Sequence, residues 1–180
     1  CPNLIVLPTR FDVYRREAAI IRGILYQFTS TIEPLSLDEA YLDVTGHPSA
    51  PGALAQLVRE TIFRKTKLTS SAGIGPNKLI AKIASEINKP NGQFEVKPED
   101  VTEFMQDLPV RKIWGIGEKT ERKLEELGIK TCGDLQRSSR AELVDLFGKF
   151  GLDLYDLCRG DDHRLVDPDR PRKSLSTEET

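Results

Sequence analysis

The sequence predicts an α+β fold, a sheet covered by helices, followed by a second part that is entirely helical. Three observations carry this. Short apolar runs with two-residue alternation are interleaved with longer segments whose apolar residues recur at helical spacing. The breakers Lys89-Pro90-Asn91-Gly92 and Pro98 close that pattern, which places a domain boundary near residue 97. Beyond it only short helical stretches occur, punctuated by Pro109, Gly115, Gly117, Gly128, Gly133, Gly148 and Gly151.

Taken in order, Leu4 to Leu7 is a short apolar run closed by Pro8 and reads as a strand. From Phe11 to Phe28 the positions Val13, Ala18, Ile20, Ile21, Ile24, Leu25 and Phe28 form one apolar stripe, with Arg15, Arg16, Glu17 and Arg22 opposite, which predicts an amphipathic helix. Residues 32–45 alternate apolar and polar about a reversal, as a hairpin does. Ala53 to Leu68 predicts a second helix, Thr69 to Ile74 a strand of small residues, and Asn77 caps a third helix running through Ile87. Gln93 to Val96 predicts a last short strand, and the charged run from Asp161 to Arg172, with Pro168 and Pro171, reads as a linker.

A chain of 180 residues fits one large domain or two small ones, and either buries a real core. The formal net charge of -2 argues against a general nucleic-acid coat, so phosphate binding has to come from local basic clusters. Cys1, Cys132 and Cys158 are odd in number and widely spaced, so neither a disulfide framework nor a zinc site is expected. No apolar run reaches the roughly 18 residues of a membrane span, and a cytoplasmic setting is the expectation. The chain opens at Cys1 without an initiator Met, directly in strand-like sequence, and reads as a trimmed fragment.

The most informative stretch is Ile32 to Thr45, which holds Asp38 and Glu39 side by side between apolar residues. Neighbouring strand residues point to opposite faces, so the two carboxylates converge only if the chain reverses sharply there. Two readings fit: a pair of hard oxygen ligands for Mg²⁺ or Mn²⁺, or solvated acidic residues of a turn. A second stretch, Asn77 to Ser85 continuing to Lys89-Pro90-Asn91-Gly92, spaces Lys78, Lys82 and Lys89 by four and seven residues, which puts them on one helical face with Leu79, Ile80, Ile83 and Ile87 opposite. That face is either an ordinary solvated one or a surface for triphosphate or DNA phosphates. Ser71, Ala72 and Gly73 before it would leave a sheet surface open to a ligand.

In a third stretch, Val110 to Thr120, a Gly115-Ile116-Gly117 turn lies between short helices, the pattern of a helix-hairpin-helix. Glycines there let backbone approach a DNA phosphate, the following helix N-terminus offers N–H donors, and Lys119 adds a cation. The plainer reading is a glycine turn between packed helices. Ile113, Ile116, Leu124 and Leu127 are core on either reading, and Trp114 is expected to pack. His47 and His163 read as surface residues, Cys132 and Cys158 as small apolar ones.

Together, Ser36 to Asp43, Asn77 to Ser85, Lys89 to Gly92 and the glycine turn at 113–117 closely resemble, in order and over essentially the whole chain, the Y-family translesion DNA polymerases, in particular the DinB branch. The resemblance implies a ferredoxin-like palm, an antiparallel sheet with helices on one face, over 1–97. A small all-helical thumb with the helix-hairpin-helix follows over 98–160, and 161–180 leads to a little-finger domain not present here. It implies that Asp38 and Glu39 are catalytic and hold metal, two Mg²⁺ ions with Mn²⁺ possible, and that Lys89 binds the triphosphate. Gly115, Gly117, Lys119, Lys78 and Lys82 then face DNA. Partners would be primer-template DNA, deoxynucleoside triphosphates and, through a terminal peptide lying elsewhere, a sliding clamp, with no membrane. The family's first metal aspartate and its fingers have no counterpart in the sequence, so the piece alone is expected to be inactive. Two other classes stay open: a non-catalytic helix-hairpin-helix module, and a nucleotidyl cyclase, against which the helix-hairpin-helix speaks.

Overall fold

A computed structural model describes residues 3–169. Helix α1 (Phe11–Leu25) leads to strands β1 (Ile32–Pro34) and β2 (Ala40–Leu42), then to α2 (Pro51–Thr66), β3 (Ala72–Ile74), α3 (Lys78–Ile87) and β4 (Gln93–Glu95). The second part holds α4 (Val101–Gln106), α5 (Glu118–Glu126), α6 (Cys132–Gln136), α7 (Arg140–Phe147) and α8 (Phe150–Leu157), with 3₁₀ turns at Pro98–Asp100 and Val110–Lys112. The predicted α+β architecture is therefore present, with α1 ending one turn earlier than its apolar stripe suggests. None of the described helices is long and apolar enough to cross a membrane.

Pairing differs in detail from the single antiparallel sheet expected. β1 and β2 are antiparallel, with Ile32 opposite Leu42 and Pro34 opposite Ala40. β3 and β4 form a separate pair that is parallel, Gly73 opposite Phe94. The reason is connectivity: α3 carries the chain back to the end from which β3 started, and a crossover of that kind delivers a parallel neighbour. Leu4 to Leu7 is not a strand. Its four side chains are exposed, and among the described residues no strand pairs with it to offset its ordering entropy. Arg172 to Leu175, in the expected linker, lies outside the described residues.

Among the described residues two buried clusters hold the fold together. The smaller joins α1, α2 and β1 through Ile24, Leu25, Ile32 and Ile62. The larger is continuous from Leu79, Ile80, Ile83 and Ala84 of α3, through Val96, to Met105, Ile113, Leu124, Leu135, Leu143 and Leu154 of the helical part. So α3 belongs at once to the sheet, against β3, and to the core of the following helices. Cys132 and Cys158 are fully buried in that core, and burial pushes their thiols up to about 12 and about 11. Leu127 and Ile87, expected inside, are instead exposed, and Trp114 is 60% exposed with the Arg164 guanidinium 5.6 Å from its ring.

The helical part is capped by carboxylates. Asp134 accepts from the Thr131 and Lys130 amides at the start of α6, and Glu142 accepts from the Ser139 amide, 2.7 Å, at the start of α7. These N–H donors hold both carboxyls below their ordinary range. A lowered folded-state pKa stabilises above the ordinary carboxyl value and is lost as pH falls through the folded value. The thermal midpoint is therefore expected to drop once pH falls below about 4. Circular dichroism melts of the double variant Asp134→Asn, Glu142→Gln should show a flatter acid limb.

Candidate metal and nucleic-acid site

The reversal at Asp38 and Glu39 is a five-residue hairpin loop, residues 35–39, between β1 and β2. It is fixed locally. The Leu35 amide donates to the Glu39 carbonyl at 2.9 Å, and the Ser36 hydroxyl accepts from the Glu39 amide at 3.1 Å and the Asp38 amide at 3.3 Å. The same hydroxyl donates to Asp38 Oδ1 at 2.6 Å, which orients that carboxylate. Ser36 thus acts as the hub of the turn, the use to which serine is put where backbone donors need a short acceptor.

Facing the loop is α3. Asn77 caps it by accepting from the Ile80 amide at 3.0 Å, as its position predicts, and Asp162 adds a second cap by accepting from the Leu79 amide at 3.0 Å. The next turn of the helix delivers Lys82, whose Nζ donates to Glu39 Oε1 at 2.5 Å and lies 3.7 Å from Glu86 Oε1. Lys89 donates to Glu86 at 2.6 Å. That bond raises the Lys89 ammonium's pKa and holds the Glu86 carboxyl below its ordinary range, while Asp38 and Glu39 act on Lys89 from farther off. The result is an alternating chain of charges: Glu39, Lys82, Glu86, Lys89, with Asp38 beside the first. Arg59 of α2 steadies the Lys89 end by donating to the Asn91 carbonyl at 2.6 Å and the Ser70 carbonyl at 2.9 Å.

Lys78 is not on this surface. Its side chain is 8% exposed and is ion-paired with Glu33 of β1, which is fully buried; it also donates to the Leu165 carbonyl at 3.1 Å. The helical spacing that placed Lys78 beside Lys82 is correct for the helix, but one turn nearer the N-terminus lies inside the sheet, where only a counter-charge makes an ammonium tolerable. Gly73 corrects a second expectation. A Cβ there would sit 1.9 Å from the Ala81 carbonyl oxygen, so the small residue serves close packing of α3 on β3, not an open ligand surface.

The glycine turn completes the site. Gly115 has φ +100°, the left-handed region in which a Cβ is strained, whereas Gly117 is the extended N-cap residue of α5 with no atom within 4 Å of a Cβ position. Among the described residues no side chain caps α5, which leaves its first amides without a side-chain acceptor beside exposed Lys119. Between α3 and this turn runs a groove of about 310 Å³, whose lining includes Lys82, Glu86, Arg111, Lys112, Trp114 and Gly115. The structure therefore brings Asp38, Glu39, Lys82 and Lys89 together and sets Gly115 across the groove, while Gly117 and Lys119 do not line it. Arg111, Lys112 and Glu86 were not foreseen; the Lys82, Glu86, Lys89 spacing of four and three was the available signal.

Asp38 and Glu39 supply hard oxygens, which fit a hard divalent cation in kind. Among the described residues no group of three His, Cys, Asp or Glu could hold a metal ion. The pair is nevertheless adequate for a cation that keeps several waters and shares phosphate oxygens, a mode that needs only one or two carboxylates.

Comparison with known proteins decides the family. The impB/mucB/samB family matches residues 1–86, and the "DNA polymerase-iota, thumb domain" family matches residues 106–162. DNA polymerase IV of Francisella tularensis is 54% identical over 183 residues, covering all of this chain and 52% of that protein. The chain belongs to the DinB branch of the Y-family DNA polymerases. DNA polymerase IV of Legionella pneumophila is likewise 54% identical over 183 residues. Among solved Y-family structures, DinB from Sulfolobus solfataricus superposes with a TM-score of 0.84 at 33% identity, covering 92% of this chain and 50% of that one. An insertion ternary complex of Dbh DNA polymerase gives 0.84 at 34%, with the same coverage. The chain spans about half the length of the curated Y-family relatives it matches.

Proposed function

We propose that residues 1–97 are the palm and 98–160 the thumb of a DNA-directed DNA polymerase that copies past damaged bases, and that 161–180 lead towards a little-finger domain. The observation that carries this is the position of Lys82, which touches Glu39 on one side and lines the groove facing Gly115 on the other. One lysine thus joins the carboxylate pair to the glycine turn, as a site handling both a triphosphate and a duplex requires.

In the complete protein Asp38 and Glu39 would hold Mg²⁺, two ions with Mn²⁺ as a substitute, which would activate the primer 3′-hydroxyl and steady the departing pyrophosphate. Ser36 keeps Asp38 aimed. Lys89, extended from a turn tied down by Arg59, reaches the triphosphate of the incoming nucleotide. The uncapped first amides of α5, the open backbone at Gly117 and the Lys119 ammonium take primer-template phosphates, contacts that position the duplex without reading its sequence. The chain spans about half the length of its curated relatives, so this activity is proposed for the complete protein, and the 180-residue piece by itself is proposed to be inactive.

Asp38→Asn in the complete polymerase is expected to lower metal-dependent nucleotide incorporation by roughly 10²–10³-fold. Duplex binding in a gel-shift or anisotropy assay should be unchanged. Retained incorporation would overturn the metal assignment and favour a helix-hairpin-helix module without catalysis. Clear primer extension by the 180-residue chain would overturn the claim that it is inactive alone.

A further inference from the structure

We infer that Lys82 is a resident counter-ion of Glu39, and that it is handed to Glu86 when a divalent cation takes the Glu39 oxygen. The inference rests on the reading of Asp38 and Glu39 as a metal site. Lys82 Nζ lies 2.5 Å from Glu39 Oε1 and 3.7 Å from Glu86 Oε1, so its ammonium already stands between the two carboxylates. A metal ion and an ammonium cannot both occupy the near side of one carboxylate oxygen, because their charges repel at such a separation. The four-carbon stem of lysine lets the head move by side-chain rotation alone, and Glu86 lies one turn farther along the same helix.

Glu86 is a suitable receiver. Lys89 holds it at 2.6 Å and keeps it ionised, and a carboxylate offers about four lone-pair sites, enough for two ammonium donors. The handover leaves every charge compensated at each stage. Before metal arrives, Lys82 offsets the repulsion between Asp38 and Glu39 that would otherwise splay them. Afterwards the divalent ion does so, and Lys82 and Lys89 share Glu86. Metal affinity is consequently set by a competition between the ion and an internal cation as well as by the ligands.

The test is a titration of the 180-residue chain with Mn²⁺ alone, reading free Mn²⁺ by electron paramagnetic resonance, in a double-mutant cycle of Lys82→Met and Glu86→Gln. Lys82→Met should tighten Mn²⁺ binding by about tenfold. Glu86→Gln should weaken it where Lys82 is present and have little effect where Lys82 is Met, a non-additivity of at least about threefold. If Lys82 were only a fixed positive neighbour, Glu86→Gln would weaken binding by the same factor in both backgrounds, and that result overturns the inference. Lys82→Gln repeats the cycle should the Met variant melt early. Asp38→Asn in the same titration separates the two levels: loss of Mn²⁺ binding with an additive cycle sinks the handover alone, whereas unchanged binding sinks the metal reading and the handover with it.

Discussion

Lys78→Met is expected to destabilise the chain by about 3–5 kcal/mol, because it removes the ammonium that neutralises a carboxylate at zero exposure. Glu33 would keep the Asp167 amide, which donates to its Oε2 at 2.9 Å, and the more distant charge of Arg164, but it would lose the ammonium bonded to it. Burial without that ammonium favours the neutral acid, so in the variant Glu33 is expected to hold its proton to higher pH than a carboxyl in the unfolded chain, about 4.3. Stability from a raised pKa is intact below the unfolded value and is lost as pH rises above it. The deficit of Lys78→Met relative to the parent chain should therefore be smaller near pH 4.5 than at pH 7.5 in urea unfolding. The double variant Lys78→Met, Glu33→Gln should recover a large share at pH 7.5, since no charge is then buried. A loss under about 1 kcal/mol, or one independent of pH, would mean that water reaches the pair and screens it. Residues 160–167 are an internal reporter: the Leu165 carbonyl and the Asp167 amide both bond this ion pair, so proteolysis after Arg164 should accelerate in the single variant.

What was legible in the sequence follows the range of the forces involved. α3 was readable to its first residue because Asn77 and the apolar stripe of Leu79, Ile80 and Ile83 act within one or two turns. The hairpin at Asp38 and Glu39 was readable for the same reason, since adjacent residues and a serine two positions earlier settle it. Lys78 was not, because its burial is decided by Glu33, 45 residues away. Nor was the parallel pairing of β3 and β4, which depends on where α3 delivers the chain, or the exposure of Trp114, whose neighbour Arg164 comes from the stretch read as linker. Leu4 to Leu7 had the composition of a strand, but among the described residues none pairs with it. In the candidate site Asp38, Glu39, Lys82 and Lys89 lie near one another as the sequence suggests, whereas Lys78 does not join them; that Lys82 and Glu39 bond directly, and that Glu86 stands between two lysines, required the fold.

Gly73→Ala should cost about 3 kcal/mol, at the upper end of what overpacking produces, although it adds a single methyl group. The added carbon would lie 1.9 Å from the Ala81 carbonyl oxygen, 2.3 Å from the Ser85 amide nitrogen and 2.9 Å from the Ala84 carbonyl carbon. All three are helix backbone, so no side chain can swing away, and relief requires α3 to lift from β3. Gly117→Ala is the control: it has an ordinary φ of -88° and open space around the new carbon, so its effect should stay within about 0.5 kcal/mol. The lift has a second consequence that the control lacks. Lys82 follows Ala81 directly, so displacing that turn draws its ammonium away from Glu39 and slackens the charge chain through Glu86 to Lys89. At a temperature where both variants remain folded, Mn²⁺ binding should change in Gly73→Ala and not in Gly117→Ala. Equal binding in the two would mean that the hairpin carries its carboxylates independently of where α3 sits.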